Sequence, residues 1–345
     1  MKDFKELTRE ERKAALGELG LPAFREGQIF KWICKGAEGF HQMSDLSEVQ
    51  RTLLSEHFGF GTLSVDLVQT ASDGTRKMLL GLPDGNKIET VFMEYGYGNS
   101  LCISTQVGCA MGCSFCASTI GGKVRDLKAW EMLDEVIVSE KAAGKPINHI
   151  VLMGIGEPLD NYANVSEFLR QIHDPKGRNM SYRNITVSTC GIVPKIEQFG
   201  RDFPQVNLAI SLHAASQEER QALMPVAKAY GLDELLKAAK AHGEFTGRRV
   251  TYEYTLIAGK NDSLEGAAKL ADLLKGSLCH VNLIPLNPVE ETGLKASSKD
   301  QARAFGEYLE KHGVPCSIRR TLGKDIDAAC GQLRKKNASG VQKKE

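Results

Sequence analysis

A chain of 345 residues, 42% of them hydrophobic and 25% charged, can bury one large core or two smaller ones and has the composition of an ordinary globular protein. No apolar run reaches the roughly 20 residues that a membrane helix needs, and the N-terminal MKDFKELTREERKAAL lacks the apolar heart of a secretory leader, so a cytosolic protein without membrane contact is expected. The net charge of +1 gives no global sign of a nucleic-acid partner and leaves local clusters open.

Residues 1–70 read as helix-like and polar. LTREERKAALGEL, REGQIFKWICKG and SEVQRTLLSEHFG have helical spacing, and a small helical accessory domain over 1–75 is the plain reading. RKMLLGL and KIETVFME then flank PDGN, a hairpin signal that defines a β-extension over 76–100. LCIST leads into a cluster of cysteines. From there to about 321, strand-like runs (HIVLMG, ITVST, VNLAISL, VTYEYTLI, HVNLIPL, CSIRRT) alternate with helical ones. Repeated βα units imply a parallel sheet with helices outside, either a complete or partial (β/α) barrel or an open doubly wound sheet. Either form presents ligands at the C-terminal ends of the strands. This third region is expected over 101–335, with a basic tail over 336–345.

Nine cysteines stand at 34, 102, 109, 113, 116, 190, 279, 316 and 330. An odd count in a cytosolic chain speaks against a disulfide framework. Cys34, Cys190, Cys279 and Cys316 read as small buried apolar residues. Cys109, Cys113 and Cys116 differ: they form C-x3-C-x2-C on the loop after a strand. A structural zinc site normally needs a fourth protein ligand, and no second C-x2-C pair exists, although a distant His or Cys could complete one. Three thiolates can instead hold three irons of a 4Fe–4S cluster and leave the fourth open for the amino and carboxylate groups of S-adenosylmethionine. The loop Met153-Gly-Ile-Gly156-Glu157-Pro158 closes the next strand. Its glycines allow close backbone approach, and Glu157 offers a carboxylate to an ammonium group. Ser188, Ser211 with His213, and Asn287 end three later strands, where polar side chains read as ligand contacts. Basic residues cluster locally as Lys123, Arg125 and Lys128; Lys176, Arg178 and Arg183; and Arg319, Arg320 and Lys324. Such groups suit phosphate contacts, and any one of them also suits ordinary solvation.

The segments QVGCAMGCSFCAST, GIGEP, SLHA, LIPLNP and DIDAACGQL, in this order, resemble the RlmN/Cfr family of radical S-adenosylmethionine RNA methyltransferases over about residues 20–335. The resemblance implies a partial (β/α)6 barrel behind a small N-terminal helical RNA-binding domain. It implies methylation of adenine in 23S rRNA at the peptidyl transferase centre and in tRNA at adenine 37. It assigns Cys330 as the cysteine methylated by a first S-adenosylmethionine, Cys102 as the second catalytic cysteine and Glu89 as the proton acceptor. Gly156, Glu157, Ser188, Ser211, Leu212, His213 and Asn287 become the S-adenosylmethionine contacts, with two molecules used per turnover. A one-electron reductase such as flavodoxin is the expected partner, and a monomer the expected state. CASTIGG and KDIDAACGQL look like the branch that modifies carbon 2; the alternatives are a carbon-8 methyltransferase of the Cfr type and a zinc-stabilised RNA-binding module without catalysis. Cys190 replaces a more usual serine in Ser-Thr-Ser-Gly. Without the resemblance, Cys102 and Cys330 would read as inert thiols and Glu89 as a solvated strand residue.

Overall fold

The computed structural model describes residues 1–334; the expected basic tail lies outside the described residues. Three short helices come first: α1 Arg9–Glu18, α2 Arg25–Cys34 and α3 Glu48–His57. Thr8 starts α1 with a capping box, its hydroxyl accepting from Glu11 N–H while the Glu11 carboxylate accepts from Thr8 N–H. Ser47 and Gln50 do the same for α3. The Phe4 ring meets Phe40 and Phe58 edge-on and forms the centre of the unit. A buried Arg12–Glu26 ion pair at 2.9 Å ties α1 to α2.

Four antiparallel strands follow: β1 Ser64–Thr70, β2 Arg76–Gly81, β3 Lys87–Tyr95 and β4 Gly98–Ile103. The β2–β3 turn forms where PDGN predicts it. Asp84 accepts from Asn86 N–H at 3.0 Å, and Gly85 takes the positive φ of 85° that a side chain would resist. After β4 a minor ribbon, β5 Gln106–Val107 with β6 Arg125–Asp126, encloses the cysteine loop. The remaining elements alternate: α4 Ala129–Ala143, β7 His149–Leu152, α5 Tyr162–His173, β8 Ile185–Thr189, α6 Val193–Asp202, β9 Asn207–Ser211, α7 Gln217–Leu223, α8 Leu232–Thr246, β10 Val250–Leu256, α9 Leu264–Leu274, β11 Cys279–Pro285, α10 Lys299–Lys311 and β12 Cys316–Ile318.

The major sheet runs β1-β2-β3-β4-β7-β8-β9-β10-β11-β12, parallel from β4 onward. Its end strands β1 and β12 do not pair with each other, so the barrel stays open. One face meets the helices in the main apolar core, through residues such as Ile150, Val187, Leu208, Tyr254 and Leu283. The opposite face carries a smaller cluster of Val91, Met93, Cys102 and Ile155, covered by Ala328 and Leu333 of the C-terminal segment. That segment therefore lies across the inside of the barrel.

Two expectations need correction. Residues 64–70 are not helix-like but form β1, an edge strand that is exposed along almost its whole length. With neither face buried it shows no apolar alternation, and its β-branched valines were the remaining sign. Helices α6 and α7 also went unread. Seven residues of QEERQAL span only two turns, which leaves little periodicity to detect.

Candidate active site

Cys109, Cys113 and Cys116 sit on the loop that β5 and β6 clamp at its base, and all three line one cavity at the C-terminal ends of the parallel strands. Among the described residues, no three His, Cys, Asp or Glu side chains converge as a single bare ion requires. Three sulfurs around one cavity suit a cluster in which each binds a different iron. Gly154 and Gly156 bring the loop after β7 against this wall. A Cβ on Gly154 would meet the Ile103 carbonyl oxygen at 2.6 Å, and Gly156, at φ 109°, has Gln106 at 2.6 Å from any such atom.

Glu157 is buried beneath the cavity. Its carboxylate accepts from Cys190 N–H at 2.7 Å and from Leu159 N–H at 2.9 Å, and Gln106 Oε1 accepts from the Glu157 amide at 2.9 Å. Burial raises its pKa, and these N–H groups oppose the rise. His213 takes φ 58°, with Nδ1 accepting from Thr255 N–H at 2.9 Å. That bond leaves the proton on Nε2. Burial, then Arg220, lowers the ring to about 3, so the imidazole is neutral. Ser188, Ser211 and Asn287 also line the cavity. Leu212 does not: its side chain is fully buried in the core and its amide donates to Glu253 O at 3.0 Å.

Cys330 reaches the same cavity from the C-terminal segment. It also borders a second, smaller space, which Cys102 on β4 lines as well. The fold thus brings both predicted cysteines to one place, with Cys330 in the shared wall. Burial pushes the Cys102 thiol up to about 12. Glu89 lines neither cavity. It is buried on β3, where Oε2 accepts from Arg334 N–H at 2.8 Å and Oε1 lies 3.5 Å from Lys77 Nζ. These contacts tie β3 to Lys77 of β2 and to the end of the Cys330 segment.

The family model for the Radical SAM superfamily matches residues 103–271, and that for the ribosomal RNA large subunit methyltransferase N-terminal domain matches residues 2–59. A probable dual-specificity RNA methyltransferase RlmN of Clostridium perfringens (strain 13 / Type A) is 50% identical over 337 residues, covering 97% of each chain. The protein of the same name from Lachnospira eligens is 45% identical over 347 residues, 100% of this chain and 99% of the other. The crystal structure of a radical SAM methyltransferase from Sphaerobacter thermophilus superposes with a TM-score of 0.92 at 41% identity, covering 96% of this chain and 99% of that one.

The chain belongs to the RlmN family of radical SAM RNA methyltransferases. Membership implies a 4Fe–4S cluster and S-adenosylmethionine, and the three cavity cysteines supply a fitting donor set. Within this RlmN frame three cavity residues went unread as such in the sequence. Cys190 reads as inert in the sequence, yet its amide holds Glu157. Glu253 is buried and borders the main cavity, and Arg319 borders both cavities. Glu253 left one trace, an acid within the apolar run VTYEYTLI. The sequence groups Arg319 with cations suited to phosphate, whereas its side chain lines the two cavities. Four other members of the basic clusters are also committed internally, among them Arg178, which pairs with Glu140. Lys123 pairs with Asp126 and Asp160, Arg125 with Asp84 and Glu131, and Lys128 with Glu6.

Proposed function

We propose that this chain methylates carbon 2 of adenine in 23S rRNA, at the peptidyl transferase centre, and in tRNA at adenine 37, with the methyl group carried on Cys330. The observation that supports the reading is the position of Cys330 in the wall between the cavity of the three clustered cysteines and the space around Cys102.

Carbon 2 of adenine is electron-poor and has no lone pair for an electrophilic methyl group, so direct polar transfer is unsuited to it. The cluster held by Cys109, Cys113 and Cys116 would supply one-electron cleavage of a sulfonium. Gly156, Glu157, Ser188, Ser211, His213 and Asn287 would hold S-adenosylmethionine, with Leu212 contributing through its backbone. Cys330 is a sulfur nucleophile suited to taking a methyl group and keeping it as a thioether. Once its carbon is joined to the ring, Glu89 takes the proton from carbon 2. Cys102 then attacks the sulfur of Cys330 and frees the base by disulfide formation. The adenine must leave its stack to reach this site. Two molecules of S-adenosylmethionine serve each turnover, a flavodoxin-like donor supplies the electron, and the chain acts as a cytosolic monomer. No helix among the described residues is long and apolar enough to cross a membrane.

Nucleoside mass spectrometry tests the reading. Ribosomal and transfer RNA from cells lacking the protein should lose 2-methyladenosine. The wild-type chain should restore it and Cys330→Ala should not. Restoration of 8-methyladenosine, or of neither nucleoside, contradicts it.

A further inference from the structure

Arg319 is a half-buried cation to which the chemistry above gives no task. It directly follows β12, and its amide donates to Leu283 O at 2.8 Å, which fixes the backbone. The side chain borders both cavities, as Cys330 does, whereas Arg320 borders the second alone. Among the described residues its guanidinium has no direct hydrogen bond or ion pair, so its donors remain available at the cavity.

The groups that act on it are Cys330, Glu253, Tyr95 and Cys102, in that order after burial is set aside. Glu253 already has a partner, since Asn282 Nδ2 donates to it at 2.8 Å. Around Cys102 the charged and titratable groups are Cys330 from the C-terminal segment, Glu135 from α4, Tyr95 from β3 and Arg319. Arg320 borders the same space but is exposed, so Arg319 is the inward cation of that set. The other walls include Val91, Met93, Leu322 and Leu333, which solvate no charge. Burial favours the protonated form of a thiol in such a place, a nearby cation opposes it, and a protonated thiol is a poor nucleophile.

We propose that Arg319 is a positioning residue for the resolving step, facing the space around Cys102 and favouring the thiolate of that sulfur as it attacks the sulfur of Cys330; this rests on the function proposed above. In that step the Cys102 thiolate forms an S–S bond with Cys330. The bond between the Cys330 sulfur and the methylene carbon breaks, its electron pair stays with that carbon, and a proton completes the methyl group. The two cysteines are oxidised to a disulfide as the methylene is reduced to methyl. A dithiol reductant returns the pair for the next cycle.

The test uses the full chain, reconstituted anaerobically, as wild type, Arg319→Gln, Arg319→Lys and Cys102→Ala. Modification of Cys102 by methyl methanethiosulfonate is followed against pH by peptide mass spectrometry, and covalent protein–RNA adduct is quantified in parallel. The expected result for Arg319→Gln is Cys102 modification slowed about tenfold near neutral pH, a profile displaced to higher pH, and adduct that accumulates. Arg319→Lys should recover most of the rate with equal iron content. An unchanged Cys102 profile in Arg319→Gln overturns the proposal. So does a loss of RNA affinity with a shallower salt dependence and no change at Cys102, which would make Arg319 a phosphate contact. If Cys102→Ala itself accumulates no adduct, the underlying function fails instead. If Cys102→Ala accumulates adduct and Arg319→Gln does not, the role of Arg319 alone fails.

Discussion

The side-chain amide of Asn287 donates to the carbonyl oxygen of Cys330 at 3.1 Å. Asn287 is also a proposed S-adenosylmethionine contact, so one amide faces both the cofactor and the segment that carries the reactive sulfur. Binding of S-adenosylmethionine should compete for this donor and loosen the segment. Amide hydrogen exchange across residues 328–332 should therefore rise when S-adenosylmethionine is added to the anaerobic protein. Unchanged exchange would mean that the two contacts are independent.

Glu89 accepts from Arg334 N–H and pairs with Lys77, which ties the end of the same segment to β3. Glu89→Gln keeps the shape and removes the charge. As a proton acceptor, Glu89 should matter by about 10² or more in methylation rate, the usual range for general base catalysis. Cluster content and S-adenosylmethionine binding should persist. Full methylation by the variant would leave Glu89 only as an anchor.

His213 is held neutral, its pKa lowered to about 3 from an ordinary value near 6.5. A depressed pKa contributes stability that is present above the unfolded value and lost as pH falls toward the folded one. Unfolding free energy should decline by about 1.4 kcal/mol per pH unit below about 6.5. Urea titrations between pH 7 and 5 should show that slope, and His213→Gln should flatten it. Parallel slopes would place the proton elsewhere.

Lys5 Nζ meets both carboxylate oxygens of Asp134 at 2.7–2.8 Å, each residue buried, and fastens the helical unit to α4. Phe60 and Trp130 flank the same ammonium at 4.9 Å. Lys5→Met leaves a buried carboxylate alone, which costs roughly 3–5 kcal/mol. Adding Asp134→Leu should recover most of the loss in thermal or urea unfolding. A single variant as stable as the wild type would show that the pair contributes little.

The sequence disclosed what is local. C-x3-C-x2-C, the PDGN turn and the strand–helix alternation depend on neighbours in the chain, and each appears where the spacing put it. The edge strand β1 escaped because exposure removes the apolar pattern that reveals strands. The environments of Arg319 and Glu253 escaped for another reason. Each depends on which residues of β10, β12 and the C-terminal segment face inward together, and that is a property of the open barrel. The meeting of Cys102 and Cys330 was legible only through family likeness, because neither thiol has a local signature. Leu212 lies between two cavity residues with its side chain packed into the core, so its backbone is the part left to face the site.

The central claim is that the methyl carbon passes through Cys330. There it loses one hydrogen before joining the ring, and it gains one proton on release. Mass spectrometry of adenosine methylated by the anaerobic enzyme with S-adenosylmethionine carrying a CD3 group tests this most directly. The account predicts a CHD2 group on carbon 2, with the third hydrogen taken from solvent. An intact CD3 group on the base would show direct transfer and contradict it.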